Sequence, residues 1–270
     1  MKRQQNNDLI NLWNREAVRE RRPLLIAHRG GVVSQGIPEN SLGAIRLAAT
    51  QGFDMVELDV TKPKDDERVL FHDWTGSLRM NCGIDARLVD HTARELTAIC
   101  YRASEEPIAT LEQALAQCRE LRLGVMLDIK VRPPSMLTGA FVRRIGSLLT
   151  EQGLNTAAVT ISTAPIVREV LAGQLLFPVT ADDYQAVLRG KSRQLQGQFW
   201  FDLPEEITDE AIPALQAAGA YVLPAINTFR YPAHGHAALA QDDIERLKTA
   251  GVDGFQIDST YRSYFSHGND

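Results

Sequence analysis

Residues 24–60 read LLIAHRGGVVSQGIPENSLGAIRLAATQGFDMVELDV, and their pattern of apolar residues indicates the fold class. Two apolar runs, at 24–27 and 54–60, flank a segment at 41–50 whose apolar residues recur with helical spacing. Ser41 or Asn40 is the natural N-cap of that helix. A strand, a helix and a second strand in this order predict two parallel strands joined by a right-handed crossover.

The same alternation continues through the 270-residue chain. Six further apolar runs predict strands, with helical patterns between most of them: 123–129, 158–162, 175–180, 199–203, 220–226 and 254–258. Eight strands, in a chain near the roughly 250 residues typical of such a fold, predict an α/β TIM (β/α)8 barrel. A doubly wound open sheet is the alternative, but the first strand is not followed by that fold's usual glycine-rich phosphate turn.

The run RVLFH at 68–72 does not fit this alternation, because it follows too soon after the strand at 54–60. A parallel crossover needs about a dozen residues or more, so we predict a return strand above the barrel mouth. Residues 73–110 then form one long excursion with a short helix near 92–99. We expect a single domain over 1–270, with a small insertion at about 73–110 that covers the mouth and influences substrate choice.

Composition excludes two classes of partner. The formal net charge of −5 provides no basic excess for binding nucleic acid. No stretch approaches the ~20 apolar residues that span a bilayer, and the N-terminus lacks the apolar core of a signal peptide. We therefore expect no nucleic-acid partner and no stable membrane insertion.

The N-terminal segment predicts a short polar helix that packs against the base of the fold, with Leu9, Leu12, Trp13 and Ala17 near one face. The three cysteines, Cys82, Cys100 and Cys118, have neither CxxC nor CxxH spacing. We expect them to be reduced thiols in a cytoplasmic protein.

Polar residues gather at the carboxyl ends of the predicted strands, where active sites of such barrels lie. They are His28 and Arg29 after the first strand, Glu57 and Asp59 on the second, His72 and Asp73 after the return strand, Asp128 and Lys130 at the next strand, and Asp258 on the last.

Glu57 and Asp59 are two residues apart on one strand, so both side chains should face the barrel interior. Two inward carboxylates repel each other unless a cation or protons compensate them. A hard divalent cation with Asp128 as third ligand would do so. The alternative is a pair of surface carboxylates on a half-exposed strand, and the position of Asp128 favours the metal site.

His28 and His72 lie at strand ends on either side of this cluster, which suits general acid–base chemistry near neutral pH. Arg29 and Lys130 offer positive charge to phosphoryl oxygens. His234 and His236 have a chelate-like spacing, but the surrounding sequence favours a solvated loop over a second metal site.

The segments AHRGG, PENS, ELDVTK, RVLFHD, LRMN, ATLEQAL, LDIK and GFQID occur in this order and resemble the glycerophosphodiester phosphodiesterase family of phospholipase-C-like TIM-barrel enzymes. The likeness runs from residue 26 to about 130 and resumes near 254. It implies a TIM barrel with a small insertion after the second strand, and one divalent cation, Mg²⁺ or Ca²⁺. The roles it implies are an acid–base pair (His28, His72), metal ligands (Glu57, Asp59, Asp128), phosphate contacts (Arg29, Lys130) and a loop beside the site (Glu39, Asn40).

The resemblance implies hydrolysis of a small glycerophosphodiester to glycerol 3-phosphate and an alcohol. Asp128 stands where the family usually has Glu, which leaves the preferred metal open. Two alternatives are a lysophospholipase D or sphingomyelinase-D-like enzyme on the same scaffold, and a catalytically inactive ligand-binding relative. A phospholipase would favour an apolar rim at the mouth, and the sequence has no long hydrophobic insertion. The preferred alcohol, the histidine that acts as acid, the choice between a cyclic-phosphate path and direct attack by water, and the oligomeric state stay open.

Overall fold

The structure is a computed structural model, and it describes residues 8–31, 36–102 and 104–265. The strands in these ranges are β1 (Leu24–Ala27), β2 (Met55–Thr61), β3 (Val69–Leu70), β4 (Gly124–Ile129), β5 (Ala158–Thr160), β6 (Phe177–Pro178), β7 (Gln198–Trp200), β8 (Tyr221–Val222), β9 (Ala225–Ile226) and β10 (Gly254–Ile257). The α-helices are α1 (Arg15–Glu20), α2 (Leu42–Thr50), α3 (Ser77–Cys82), α4 (Ala93–Leu96), α5 (Leu111–Leu121), α6 (Gly139–Glu151), α7 (Pro165–Leu171), α8 (Ala181–Leu188), α9 (Ala211–Ala218) and α10 (His236–Ala250).

Parallel strands form a ring. One row of paired strands runs β5–β4–β2–β1–β10–β9, and a second runs β6–β7–β8. The rows meet where Val159 of β5 pairs with Leu176, directly before β6, and where β8 continues along the chain into β9. With β8 and β9 counted as one interrupted strand, eight parallel strands alternate with helices, and the predicted α/β barrel is confirmed.

The strand predicted at 220–226 is wrong in one respect, because the structure divides it into β8 and β9. Pro224 lies in the gap, and proline has no N–H to donate to a strand ladder. Hydrogen bonding to the β7 side continues around it, since Leu223 N donates to Trp200 O and Ala225 N to Asp202 O, each over 2.9 Å. The interruption therefore leaves the ring connected.

The first strand–helix–strand unit agrees closely with the sequence. β1 and α2 occupy the predicted positions, and the Ser41 side chain caps α2 by accepting a hydrogen bond from Ala44 N. The return strand is also present as β3, paired antiparallel with the end of β2 through Val60–Leu70 and Thr61–Val69. It is shorter than the predicted 68–72.

The N-terminal segment closes the base of the barrel. Ile10, Leu12 and Val18 are buried in one cluster with inward-facing strand residues. The predicted helix face is wrong, since α1 begins only at Arg15 and the Trp13 side chain is 46% exposed. The cause is local: the Asn14 side chain accepts hydrogen bonds from the first turn of α1, so the helix starts after it. Residues 1–7 lie outside the described ranges. None of the described helices combines the length and apolar character needed to cross a bilayer.

The segment between β3 and α5 has a small core of its own. Its helices α3 and α4 bury Leu78 and Leu96 against residues of the return strand. The helix predicted near 92–99 is the single turn α4, which Thr92 and Glu95 stabilise with a reciprocal capping box. Because this core includes Val69 and Phe71, the segment is anchored to the strand that leads into it.

Candidate active site

The structure brings together the three carboxylates that the sequence predicts as metal ligands. Asp59 of β2 and Asp128 of β4 are register partners, and Glu57 precedes Asp59 on the same face. One carboxylate oxygen from each of the three lies within 4.8 Å of the others. Glu57 and Asp59 are only 2% and 0% exposed. The interpretation as half-exposed surface carboxylates is therefore wrong for this pair.

Two cationic side chains, both predicted from the sequence as phosphate contacts, enter the cluster. Lys130 Nζ donates to Asp59 Oδ1 over 2.6 Å and lies 2.8 Å from Asp128 Oδ2. Arg29 Nε lies 3.2 Å from Asp59 Oδ2. Burial opposes ionisation of Asp59, but Lys130 and Arg29 outweigh it and hold the pKa of Asp59 below its usual value. Asp59 is therefore ionised and well compensated.

Glu57 and Asp128 are less well compensated. Burial raises the pKa of Glu57 well above its usual value, and the charges of Asp59 and Asp128 raise it further. Burial and Asp59 likewise raise the pKa of Asp128 despite the nearby Lys130. A divalent cation would relieve both, and carboxylate oxygens are the ligands that Mg²⁺ and Ca²⁺ prefer. The donor set therefore fits such an ion.

His28 is held by a carboxylate behind it. Its Nδ1–H donates to Asp258 Oδ1 over 2.7 Å, and its Nε2 lies 4.0 Å from Glu57 Oε2. Asp258 is fixed in turn because its other oxygen accepts hydrogen bonds from the backbone N (2.6 Å) and hydroxyl (2.8 Å) of Thr228. Although burial disfavours its charge, these bonds lower the pKa of Asp258. A carboxylate on Nδ1 fixes the tautomer that leaves Nε2 free to accept a proton.

Asp258→Asn is expected to lower turnover roughly ten- to a hundredfold, because partners of this kind orient a histidine and set its tautomer. Metal affinity should change little, since Asp258 does not belong to the carboxylate cluster. The check is kcat measured beside the cation dissociation constant. A variant with unchanged kcat and altered metal binding would show that the Asp258–His28 bond has no part in positioning the ring.

His72 lies on the other side of Arg29. Arg29 Nη2 donates to His72 Nε2 over 3.1 Å, and Arg29 Nη1 donates to Glu39 over 2.9 Å. Glu39 Oε1 is also 3.9 Å from His72 Nδ1. Burial lowers the pKa of His72, and the neighbouring Arg29 contributes to the shift. The ring is thereby favoured in its neutral form.

The loop after β1 shapes this arrangement through its backbone. Arg29 and Asn40 adopt left-handed conformations, with φ of 50° and 58°, which cost a non-glycine residue energy and cluster at functional sites. The Asn40 side chain bonds to Asp59 twice, donating to Oδ2 over 2.8 Å and accepting from its backbone N over 2.9 Å. Gly30 also has a positive φ, and a Cβ there would lie 2.5 Å from that of Ala44. The HRG and PEN segments therefore lie against each other beside Asp59.

The opposite side of the mouth is apolar, which sequence reasoning missed. The apolar arc consists of three side chains on or directly after successive strands and one on the loop after β9: Ile161, Pro178, Phe201 and Phe229. The first three each lie two residues beyond a residue of the inner barrel core. The alternation of side chains along a strand could have predicted the arc, because residues two beyond an inward-facing residue also face inward.

The remaining histidine pair forms no second site in the described part of the chain. His236 is not in a loop as predicted but begins α10, where its Nδ1 lies 3.0 Å from the Tyr261 hydroxyl. His234 is exposed in the preceding turn.

Comparison with known proteins shows what this chain is similar to. The sequence model of the Glycerophosphoryl diester phosphodiesterase family matches residues 28–164, just over half of the chain. Human glycerophosphodiester phosphodiesterase 1 is 39% identical over 113 residues, which are 39% of this chain and 33% of the human protein. The bovine protein of that name is 36% identical over 140 residues, 45% of this chain and 41% of the relative. The matched part thus spans well under half the length of these relatives.

Solved structures share the fold. A phosphodiesterase of Oleispira antarctica, in complex with the product sn-glycerol-3-phosphate, aligns with a TM-score of 0.67 and 20% identity over 90% of this chain and 96% of that chain. The glycerophosphoryl diester phosphodiesterase domain of a Mycobacterium tuberculosis protein aligns with a TM-score of 0.69 and 17% identity over 90% and 99%. At these identities the likeness concerns the fold alone. The family match, which includes His28, the carboxylate cluster and His72, shows that this chain belongs to the glycerophosphoryl diester phosphodiesterase family.

Proposed function

We propose that this protein hydrolyses small glycerophosphodiesters to glycerol 3-phosphate and an alcohol, with one divalent cation, Mg²⁺ or Ca²⁺, as cofactor. The observation that carries the proposal is the placement of His28 and His72 around one buried carboxylate cluster, with Arg29 between them. The names of the relatives and the glycerol 3-phosphate bound by the Oleispira antarctica protein support it.

Glu57, Asp59 and Asp128 would hold the cation. When bound there, a divalent cation screens phosphoryl charge and lowers the pKa of a hydroxyl group. Arg29 and Lys130 add fixed positive charge beside the same cluster, and the planar Arg29 guanidinium suits two phosphoryl oxygens. Glu39 keeps Arg29 in place and Asn40 keeps Asp59 in place, through the bonds described above.

The two histidines move the protons. Displacement at phosphorus needs one group to take a proton from the attacking hydroxyl and another to protonate the leaving oxygen. His28 Nε2 is free to exchange a proton with the substrate because Asp258 binds Nδ1. Burial and the charge of Arg29 lower the pKa of His72 and favour its neutral form. The attacking hydroxyl is either a glycerol hydroxyl, through a cyclic phosphate, or water.

We also propose that residues 73–110 form an inserted subdomain of a single barrel domain and influence the choice among diesters. Its separate small core supports a role beside the barrel rather than within its main core. Cys82, Cys100 and Cys118 are free thiols in the structure, and we propose that the enzyme acts in the cytoplasm, where thiols stay reduced.

A phospholipase on the same scaffold, of the lysophospholipase D or sphingomyelinase D type, is the second candidate. The apolar arc favours it, since acyl chains need an apolar surface near the mouth. An inactive binding relative is disfavoured, because both histidines and all three carboxylates are present and assembled.

The experiment is product identification with the purified chain, Mg²⁺ or Ca²⁺, and either glycerophosphocholine or lysophosphatidylcholine. We expect glycerophosphocholine to yield glycerol 3-phosphate and choline. Its kcat/KM should be higher than that of lysophosphatidylcholine, which would yield lysophosphatidic acid and choline. A preparation of His28→Ala made in the same way controls for contaminating enzymes. Faster cleavage of lysophosphatidylcholine would favour the phospholipase. No product from either substrate or from a glycerophospho-n-alkyl diester would leave the inactive relative.

A further inference from the structure

The apolar arc extends across the barrel mouth from Asp128 to His28. Ile161 follows Thr160, whose register partner is Leu127, so Ile161 stands beside Asp128 at the mouth. Its backbone N donates to Leu127 O over 3.1 Å, which continues the β4–β5 pairing to this point. At the other end, the Phe229 ring centroid is 5.9 Å from that of His28. The arc therefore begins at a predicted metal ligand and ends at a predicted acid–base residue.

The three strand-end side chains of the arc face the inside of the barrel mouth, and all four side chains remain accessible. Phe199 belongs to the inner barrel core, and Pro178 is its register partner, so Pro178 also faces inward. Phe201 lies two residues further along and packs edge-on against Phe199, with ring centroids 6.4 Å apart. Ile161, Pro178 and Phe201 are half-buried, and Phe229 is 62% exposed. A bound molecule could cover all four and remove apolar surface from water.

The chemistry of a diester indicates what would cover them. The phosphate belongs on the charged side of the mouth, with Arg29, Lys130 and the carboxylates. The two ester arms then extend from it, and the arm that crosses to the other side meets hydrocarbon. A glycerol arm carries hydroxyl groups, and these four side chains offer them no hydrogen-bond partner. The apolar arc therefore suits the carbon chain of the other arm, the leaving alcohol.

The charge next to Phe229 argues against a cationic alcohol. The Arg230 guanidinium carbon lies 4.9 Å from the centroid of the Phe229 ring, so a cation already interacts with this ring. A choline or ethanolamine group brought to the same surface would meet a like charge. A neutral alkyl group would meet only the apolar ring.

We propose that Ile161, Pro178, Phe201 and Phe229 form a subsite for the hydrocarbon portion of the leaving alcohol, so that the enzyme prefers glycerophosphodiesters of neutral, apolar alcohols to those of cationic ones. This inference rests on the proposed hydrolysis of glycerophosphodiesters and names the alcohol that such hydrolysis favours.

The test is a series of glycerophospho-n-alkyl diesters with ethyl, butyl and hexyl alcohols, compared with glycerophosphocholine. Released glycerol 3-phosphate is measured with the wild type. We expect kcat/KM to rise about two- to fourfold for each added methylene, so that the hexyl ester exceeds the ethyl ester by at least roughly tenfold. The hexyl ester should also exceed glycerophosphocholine.

Variants locate the effect. Phe229→Ser should lower the hexyl-to-ethyl ratio of kcat/KM at least about threefold, and Phe229→Leu should retain most of it, because leucine keeps an apolar surface. Phe229 is exposed, so its replacement should not prevent folding. Phe201→Ser is the second variant. Trp13→Ser, which removes an exposed aromatic ring near the base of the barrel, is the matched control and should leave the ratio unchanged.

The outcomes separate the two levels of the proposal. One contrary result is that the wild type hydrolyses the diesters with a hexyl-to-ethyl ratio of kcat/KM near one, and another is that it prefers the choline ester to the hexyl ester. Either result would show that the subsite is wrong while the proposed function stands. If the ratio is high but survives both Phe229→Ser and Phe201→Ser, the subsite lies elsewhere and the inference is overturned. If no diester yields glycerol 3-phosphate, the proposed function fails and the inference fails with it.

Discussion

Replacing His28 by alanine is expected to lower kcat for alkyl or choline glycerophosphodiesters by roughly a hundredfold or more, and replacing His72 should have an effect of the same order. Proton transfer assists charge movement in the transition state, whereas the metal site and Arg29 can bind the ground-state phosphate without it. Cation affinity and KM should therefore change much less than kcat. The measurement is steady-state kinetics of glycerol 3-phosphate release, with His234→Ala, an exposed histidine outside the site, as control.

The double variant should lose little more than either single variant, because both protons move within one displacement and its reversal. A diester with a nitrophenol leaving group should rescue the variant that lacks the general acid, since that bond breaks without protonation. The rescue pattern thus assigns acid and base between His28 and His72. If both single variants kept near-normal turnover on alkyl diesters, the proton-transfer roles would be wrong even with the barrel and metal site intact.

The second large effect concerns Glu57. Glu57→Gln should lower kcat by roughly a thousandfold, because several kcal/mol of transition-state charge stabilisation depend on the cation that the carboxylate helps to bind. The variant should also lose the rise in Tm that Mg²⁺ or Ca²⁺ gives the wild type, since a ligand that binds the folded state stabilises it.

The same variant should not destabilise the metal-free protein. Burial and two neighbouring carboxylates raise the folded-state pKa of Glu57 above its unfolded value, so the folded state binds the proton more tightly. Ionisation of Glu57 therefore opposes folding. The free energy of unfolding of the metal-free protein falls as the pH rises from the unfolded-state pKa of Glu57 to its higher folded-state pKa. A neutral glutamine removes that penalty, and we expect an equal or higher Tm without metal near neutral pH. Glu169→Gln, an exposed glutamate on α7, is the control. A marked loss of metal-free stability would mean that Glu57 is compensated by partners within the chain.

Much of the site follows from the period of a strand. Residues two apart share a face, so the sequence alone assigns Glu57 and Asp59 to the barrel interior. Adjacent parallel strands bring their carboxyl ends to one edge, which is why Asp128 joins them. The same reasoning placed His28 and His72 beside the cluster. These predictions depend only on local geometry and strand order, which the apolar pattern reports well.

The apolar pattern could not predict contacts between side chains that are distant in the sequence. Asp258 stands at a strand end in the sequence, but its bond to His28 requires β10 to pair with β1, which closes the ring. Lys130 was predicted to contact phosphate, and in the structure it bridges Asp59 and Asp128. The choice between these partners depends on side-chain rotamers and local charge. The apolar arc was missed because its side chains resemble core residues until the strand ends are located.

The requirement for a cation tests the central claim most directly. The chain should be stripped of metal with a chelator, and glycerol 3-phosphate release from a glycerophosphodiester should be followed while Mg²⁺ or Ca²⁺ is added back. We predict that turnover disappears on chelation and that at least one of the two cations restores it, with saturation at one ion per chain. Full activity after exhaustive chelation would contradict the account, because the buried cluster of Glu57, Asp59 and Asp128 would then have no catalytic cation to hold.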